Sequence, residues 1–416
     1  MPKIKIEGKH PLKGEIQISG AKNGAVALIP ASILCKNKSV IYNVPDIRDI
    51  EYLIKILNLL GCVAQKKNQD LYIDSSNIKN TSIPEELSRE MRASYYFMGA
   101  LLGRFKKVEI SFPGGCKIGN RPIDLHIKGF EKLGAHVIQE KNRYYMVAEE
   151  LIGTKIYLDI SSVGATINIM LAAVYAKGTT IIENAAKEPE IVNIASFLIN
   201  MGANIVGAGT SVIKIEGTEN LDNGVVEVFP DRIEVGTYLI IGALLADELK
   251  INNVIKDHIS TFLAKLKDVG CDFVVNNDTI TIKKVENLKA TSIKTLPYPG
   301  FPTDLQQPFT TLLTQANGVS VVQETIYESR FRNVEYLETM GANTKIVGNV
   351  LEIKGPTKLY GKNVFATDLR AGASLLIAGL IAEGETVIDN IDLILRGYEN
   401  VIEKLKNVGA KIELIE

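Results

Sequence analysis

Cysteine and histidine are scarce in this chain, four of each in 416 residues, and its charges almost cancel, leaving −1 at pH 7. Four cysteines in so long a chain are too few for a disulfide framework, and no Cys/His spacing resembles a zinc site. The histidines are scattered and read as non-catalytic. A balance of 47 Lys+Arg against 48 Asp+Glu argues against a nucleic-acid partner, so any anion site has to be built locally. Long apolar runs are missing too. The longest, Ala371 to Ala382, is too short to span a bilayer, and Met1 to Glu7 lacks the apolar core of a signal peptide. The expectation is a cytoplasmic protein with no membrane partner. No Ser/Gly-rich linker divides the chain, although its length suits two or three domains.

What is present is a repeat. A helix ending in Gly followed by Ala or Cys recurs at Gly61, Gly134, Gly202, Gly270, Gly341 and Gly409, at intervals of 68 to 73 residues. Each copy reads as a helix of small and apolar residues, a β-branched strand, a second helix, the Gly, and one or two further strands. The Gly suits a left-handed helix cap. Units of this length holding both helices and strands favour compact α/β domains over an extended solenoid, and six units make two domains of three. The first helix of each copy has almost no polar face, as in Ala25 to Leu34, so it belongs at a domain centre with the sheets outside. Periodicity puts the boundary near Phe229-Pro230.

The repeat accounts for three cysteines. Cys62 and Cys271 stand where other copies have Ala, and Cys35 ends a buried helix. Cys116 has no such place. From the end of the strand to the repeat Gly there are 18 residues in the first copy, 19 in the third and 17 in the fifth, but 23 in the second. The surplus is Pro113-Gly114-Gly115-Cys116-Lys117-Ile118-Gly119-Asn120-Arg121-Pro122, a loop that the repeat does not require. Its Gly and Pro exclude periodic structure, and a thiol beside cations is biased toward the reactive thiolate. Such an insertion more often carries function than scaffold.

Cations also stand where helices disfavour them. Lys22, Arg92, Arg232 and Arg370 fall at the starts of first helices, where a positive charge opposes the helix dipole by roughly 0.3–1 kcal/mol. Free N–H groups and a cation at one helix start make a receptor for phosphate or carboxylate. Arg121, Arg330 and Arg396 precede second helices and can add to it. Asp304 breaks the pattern with a carboxylate at the start of the fifth copy. It reads equally as an N-cap or as a base held ionised by cations, and Asp368 carries the same ambiguity.

At these residues the sequence resembles the enolpyruvyl transferases. The segments Ser19-Gly20-Ala21-Lys22-Asn23, Pro113 to His126, Ser162 to Thr166, Tyr298 to Gln306 and Ala366 to Ala371 match the family pattern, and the likeness runs from end to end. It implies two inside-out α/β barrel domains, each of three βαβαββ-type repeats. One is residues 22–229, carrying the cysteine loop 112–122; the other is discontinuous, 1–21 with 230–416. The closest branch moves the enolpyruvyl group of phosphoenolpyruvate to the 3′-hydroxyl of UDP-N-acetylglucosamine and releases phosphate. That reaction runs by addition and elimination through a tetrahedral ketal and opens peptidoglycan synthesis. No cofactor or metal is implied, and one chain suffices for the site.

Residue by residue, the resemblance makes Cys116 the acid that protonates the methylene carbon. It can also form a covalent pyruvyl-phosphate adduct and is the residue that epoxides of the fosfomycin type alkylate. Asp304 corresponds to the base for the sugar hydroxyl. Lys22, Arg121 and Arg396 correspond to phosphate ligands, and Arg330 and Arg370 to cations facing the substrate carboxylate. Asn23 lies near the reacting centre. Arg92, Arg121, Pro122, Ile123, Asp124, Leu125, Ser162, Val163, Gly164 and Ile326 correspond to nucleotide-sugar contacts. Departures are confined to Gly24, Ser329 and Ile160-Ser161. The rival readings are the sister enzyme that makes 5-enolpyruvylshikimate 3-phosphate and a non-catalytic sugar-nucleotide-binding paralogue. The cysteine loop and Arg121 to Leu125 count against the first, and the presence of Cys116, Asp304 and Lys22 against the second.

Overall fold

All six repeat glycines adopt the left-handed backbone, with φ between 94° and 116°, so the spacing marks real helix ends. Gly61 shows the constraint. A Cβ there would lie 2.7 Å from the carbonyl oxygen of Asn77. The structure, a computed structural model, describes residues 2–112 and 122–416; Cys116 and Arg121 lie outside the described residues.

The third repeat displays the unit in order: strand Lys155–Tyr157, helix Val163–Ala173, strand Thr179–Glu183, helix Pro189–Asn200, then strands Asn204–Val206 and Val212–Glu216. The first two strands pair in parallel and the last two antiparallel. Six four-stranded sheets of this order occur among the described residues. The inner strands mostly alternate buried and more exposed side chains, as in Val212–Glu216 and Thr179–Glu183, so each sheet has one dry face.

The chain divides into two compact units, residues 20–112 with 122–229, and residues 2–19 with 230–416. In the first, the apolar helices Lys22–Ala31, Tyr96–Phe105 and Val163–Ala173 bury nearly every residue. Close approach explains their small residues: a Cβ at Gly99 would lie 2.3 Å from the Asn168 carbonyl oxygen. In the second unit Arg232–Leu245, Thr303–Leu313 and Leu369–Ile381 are buried in the same way. Cys35, Cys62 and Cys271 are buried, and burial pushes the thiols of Cys62 and Cys271 up to about 12. No helix among the described residues is long and apolar enough to cross a membrane.

Both units close with borrowed strands. Gly224–Glu227, which follows the third repeat, pairs with Lys38–Tyr42 of the first. In the second unit, Leu12–Gln17 supplies the first strand of the fourth repeat's sheet, beside Ala246–Asn252, and Lys3–Glu7 lies between Glu385–Asp389 and Lys411–Ile415 in the sixth. The crossing point is fastened by a buried cluster. Glu234 accepts from the Ser19 N–H at 2.9 Å and from Lys404 Nζ at 2.6 Å, and Lys404 also donates to the Ser19 hydroxyl. Burial lifts the Glu234 carboxyl to about 7 against the pull of Lys404.

Candidate active site

In the unit of residues 2–19 and 230–416, the first turns of the central helices carry the charges. Asp231 caps its helix, accepting from the N–H groups of Ile233 and Glu234 at 2.8 and 3.1 Å. Asp368 does the same for Arg370 and Ala371 at 2.9 and 3.0 Å. Asp304 does not cap its helix. One carboxylate oxygen accepts from Arg330 Nη2 at 2.7 Å and the other from Arg370 Nη2 at 3.2 Å. The two aspartates that sequence left ambiguous thus separate: Asp368 is a cap, and Asp304 belongs to an ion triad.

Burial alone would raise the Asp304 carboxyl, but Arg370, Arg330 and Arg232 together hold it well below the usual carboxylate range. Both guanidiniums are buried, Arg330 to 2% exposure and Arg370 to 3%. Arg330 lies over the ring of Tyr327 and Arg370 over that of Tyr398, at 5.3 and 5.4 Å from the centroids. Tyr398 is held in turn by a 2.8 Å hydrogen bond between its hydroxyl and that of Thr237. Among the described residues, Arg330 Nε and Arg370 Nη1 have no hydrogen-bond partner. Two buried cations sharing one carboxylate leave the cluster net positive, which suits a further anion. Ile326 is half-buried in the loop leading to Arg330, and Arg396 is half-buried just after the short helix Asp392–Leu395.

The other unit gathers a different set. Lys22 opens its helix, and its Nζ lies 2.8 Å from the buried carboxylate of Asp49, with Asn23 next to it. Arg92 lies over the ring of Tyr95 at 5.7 Å, and Tyr95 packs edge-on against His126, centroids 5.0 Å apart. Asn168 Oδ1 accepts from the Gly99 N–H, which turns its amide nitrogen toward His126 Nδ1 at 2.9 Å. The imidazole therefore carries its proton on Nε2. Burial, aided by the Arg92 charge, pushes His126 down to about 3, so it is neutral. A Cβ on Gly164 would come within 2.9 Å of both His126 Cε1 and the Tyr95 hydroxyl oxygen. Ser162 caps that helix through the Ala165 N–H, followed by Val163 and Gly164 in its first turn. Pro122 and Asp124 are exposed, Leu125 is half-buried and Ile123 is buried, all at the start of helix Asp124–Lys132.

The structure thus brings Asp304, Arg330 and Arg370 together in one unit, and Arg92 and Gly164 together in the other. Sequence reasoning missed Tyr95, His126, Asn168, Tyr327 and Tyr398. His126 adjoins the expected contacts 122–125, and that adjacency was the available signal. No three His, Cys, Asp or Glu side chains among the described residues are grouped to hold a metal.

The chain belongs to the enolpyruvyl transferase family, whose model, described as EPSP synthase (3-phosphoshikimate 1-carboxyvinyltransferase), matches residues 6–405. It is 53% identical over 414 residues to the UDP-N-acetylglucosamine 1-carboxyvinyltransferase of Clostridium botulinum, covering 99% of both chains. It is 52% identical to UDP-N-acetylglucosamine 1-carboxyvinyltransferase 2 of Geobacillus kaustophilus, covering 99% of this chain and 96% of the other. The crystal structure of the enolpyruvyl transferase NikO from Streptomyces tendae superposes with a TM-score of 0.92 at 26% identity, covering 99% of this chain and 98% of that one. EPSP synthase from Acinetobacter baumannii shares the fold, with a TM-score of 0.80 at 18% identity and full coverage of both chains.

Proposed function

We propose that this chain transfers the enolpyruvyl group of phosphoenolpyruvate to the 3′-hydroxyl of UDP-N-acetylglucosamine, releasing phosphate, as the first committed step of peptidoglycan synthesis. The carrying observation is Asp304, a first-turn carboxylate that caps nothing and is shared by two buried guanidiniums. Phosphoenolpyruvate brings about three negative charges, and the net positive charge of the Asp304, Arg330 and Arg370 cluster suits its carboxylate. Docking that anion would offset the field that holds Asp304 acidic. The carboxylate would then become basic enough to take the sugar hydroxyl proton only when the donor substrate is in place.

In the addition step the sugar oxygen bonds to C2 of phosphoenolpyruvate, its proton passes to Asp304, and Cys116 protonates C3 to give a methyl ketal. Elimination breaks the C2–O bond to phosphate, which leaves with the proton held by Asp304, and a methyl proton returns to the Cys116 thiolate, so that the enol ether and both protein groups are regenerated. Lys22, Arg121 and Arg396 take the phosphate, with Asn23 close to the reacting carbon. Arg92, Arg121 to Leu125, Ser162 to Gly164 and Ile326 hold the sugar nucleotide, and the buried neutral His126 keeps a second positive charge away from Arg92. Both substrates are soluble anions, so the work is assigned to the cytoplasm, with one chain sufficient for a site and a pyruvyl-phosphate adduct on Cys116 as a side state.

The deciding experiment supplies phosphoenolpyruvate with either UDP-N-acetylglucosamine or shikimate 3-phosphate and follows phosphate release. Turnover with the sugar nucleotide alone is expected. Turnover only with shikimate 3-phosphate would overturn the reading, and saturable sugar-nucleotide binding without turnover would favour a non-catalytic paralogue.

A further inference from the structure

In four of the six repeats the residue after the second strand is an asparagine in the left-handed region: Asn43, Asn184, Asn253 and Asn390. Each side-chain amide donates to the carbonyl just past the neighbouring parallel strand, of Val228, Leu158, Ile18 and Ala366 respectively, at 2.8 to 3.1 Å. One bond per repeat therefore straps two strand ends together. The two departures are Phe112 and Glu324, each directly ahead of a segment given a part in the proposed site.

At Glu324 the strap is reversed and enlarged. The residue past the parallel strand is Thr295, whose hydroxyl donates to Glu324 Oε1 at 2.8 Å. The same oxygen accepts the N–H groups of Ile326 and Tyr327 at 2.7 and 3.2 Å, and Oε2 accepts the Thr303 hydroxyl at 2.9 Å. Thr303 directly precedes Asp304, Ile326 is an expected sugar-nucleotide contact, and Tyr327 lies under Arg330. The carboxylate is 2% exposed, so these four donors are its environment. A strand strap needs only the first of them.

We propose that Glu324 is a positioning residue for enolpyruvyl transfer, tying the backbone of the Ile326 loop to the first turn that presents Asp304. This rests on the reading of Asp304 as base and Ile326 as substrate contact. The two arms separate by mutation. Thr303→Val cuts only the Oε2 arm, Glu324→Ala cuts both, and Glu324→Gln keeps the three-donor oxygen while its amide nitrogen donates to Thr303.

The test measures kcat and KM for UDP-N-acetylglucosamine by phosphate release, with thermal unfolding of each variant alongside. Thr303→Val should lose about tenfold in kcat at unchanged KM, as expected for one lost hydrogen bond to a reacting element. Glu324→Ala should lose about a hundredfold in kcat and raise KM about tenfold, the effect of misplacing reacting groups. Glu324→Gln should stay within about threefold of the parent in both. Parental kcat in Thr303→Val overturns the proposal, even if Glu324→Ala fails to fold. So does a Glu324→Gln variant as impaired as Glu324→Ala, or a Glu324→Ala variant weakened in stability alone. A parent chain without turnover would instead overturn the transferase reading and carry this inference down with it.

Discussion

The two units share one architecture, three repeats around three buried helices, and differ in what occupies the first turn of those helices. In residues 20–229 the cations Lys22 and Arg92 are half-buried. Lys22 pairs with Asp49, and Arg92 rests on Tyr95 beside a histidine stripped of charge. In the other unit two arginines are buried outright around one carboxylate. The backbone cannot tell these apart. Chemistry is set by a few side chains at one end of the central helices, and the repeat serves as a frame that presents them.

The most severe way to break the contrast is to remove its carboxylate. Asp304→Asn should cost about 10²–10⁴ in kcat, measured by phosphate release, because both the base and the counter-charge of Arg330 and Arg370 go together. Parental turnover would show that another group takes the proton. Next comes Cys116. Cys116→Ser should lose most of the turnover, since an alcohol is a far weaker acid than a thiol, whereas Cys116→Asp keeps a proton donor and should retain turnover. The Asp variant should also resist epoxide alkylation, read by intact mass, because burial holds Cys62 and Cys271 protonated at neutral pH. Labelling at the parental rate would move the target elsewhere.

Smaller effects sharpen the other side of the comparison. Gly164→Ala pushes a methyl against His126 and Tyr95, so the dissociation constant for UDP-N-acetylglucosamine, read by calorimetry, should rise about tenfold while the Asp304 triad is untouched. The last prediction concerns pH. His126 is neutral in the folded chain down to about 3 and titrates near 6.5 when unfolded, so the unfolded state binds the extra proton between those values. Its contribution to stability is complete above pH 6.5 and is lost as the pH falls toward 3, by up to about 1.4 kcal/mol per pH unit. Urea unfolding of His126→Gln at pH 7 and pH 5 should show a shallower loss than the parent. An equal loss would assign the slope to other groups.

Much of the frame was legible because it recurs. A glycine every 68 to 73 residues, each with positive φ, and helices without a polar face are signals that six copies reinforce. What occurs once was harder. Nothing in the local sequence of Thr303-Asp304-Leu305 or Thr367-Asp368-Leu369 distinguishes a cap from a shared counter-ion: Asp368 falls just ahead of its helix and caps it, whereas the helix of Asp304 starts one residue earlier, at Thr303, and its carboxylate goes to Arg330 and Arg370. His126 was discounted as one of four scattered histidines, since its partners Tyr95 and Asn168 are 31 and 42 residues away. The crossing strands escaped periodicity altogether, because Lys3–Glu7 and Leu12–Gln17 precede the first full copy and pair with the fourth and sixth. Glu324 was readable in principle, as the polar residue that replaces asparagine at a position where four copies agree.

Those crossing strands set an order of events during synthesis. Residues 20–229 contain all the strands of their three sheets, so that unit can complete itself while the rest of the chain is still being made. Lys3–Glu7 and Leu12–Gln17 emerge earlier yet have no sheet to join until residues 246–252, 385–389 and 411–415 exist. Strands made before the rest of this sequence are thus among the last to find partners. Until then they are two unpaired, β-rich segments tethered to a finished neighbour, and their alternating lysines and glutamates are the kind of charge that discourages such edges from pairing with the wrong chain.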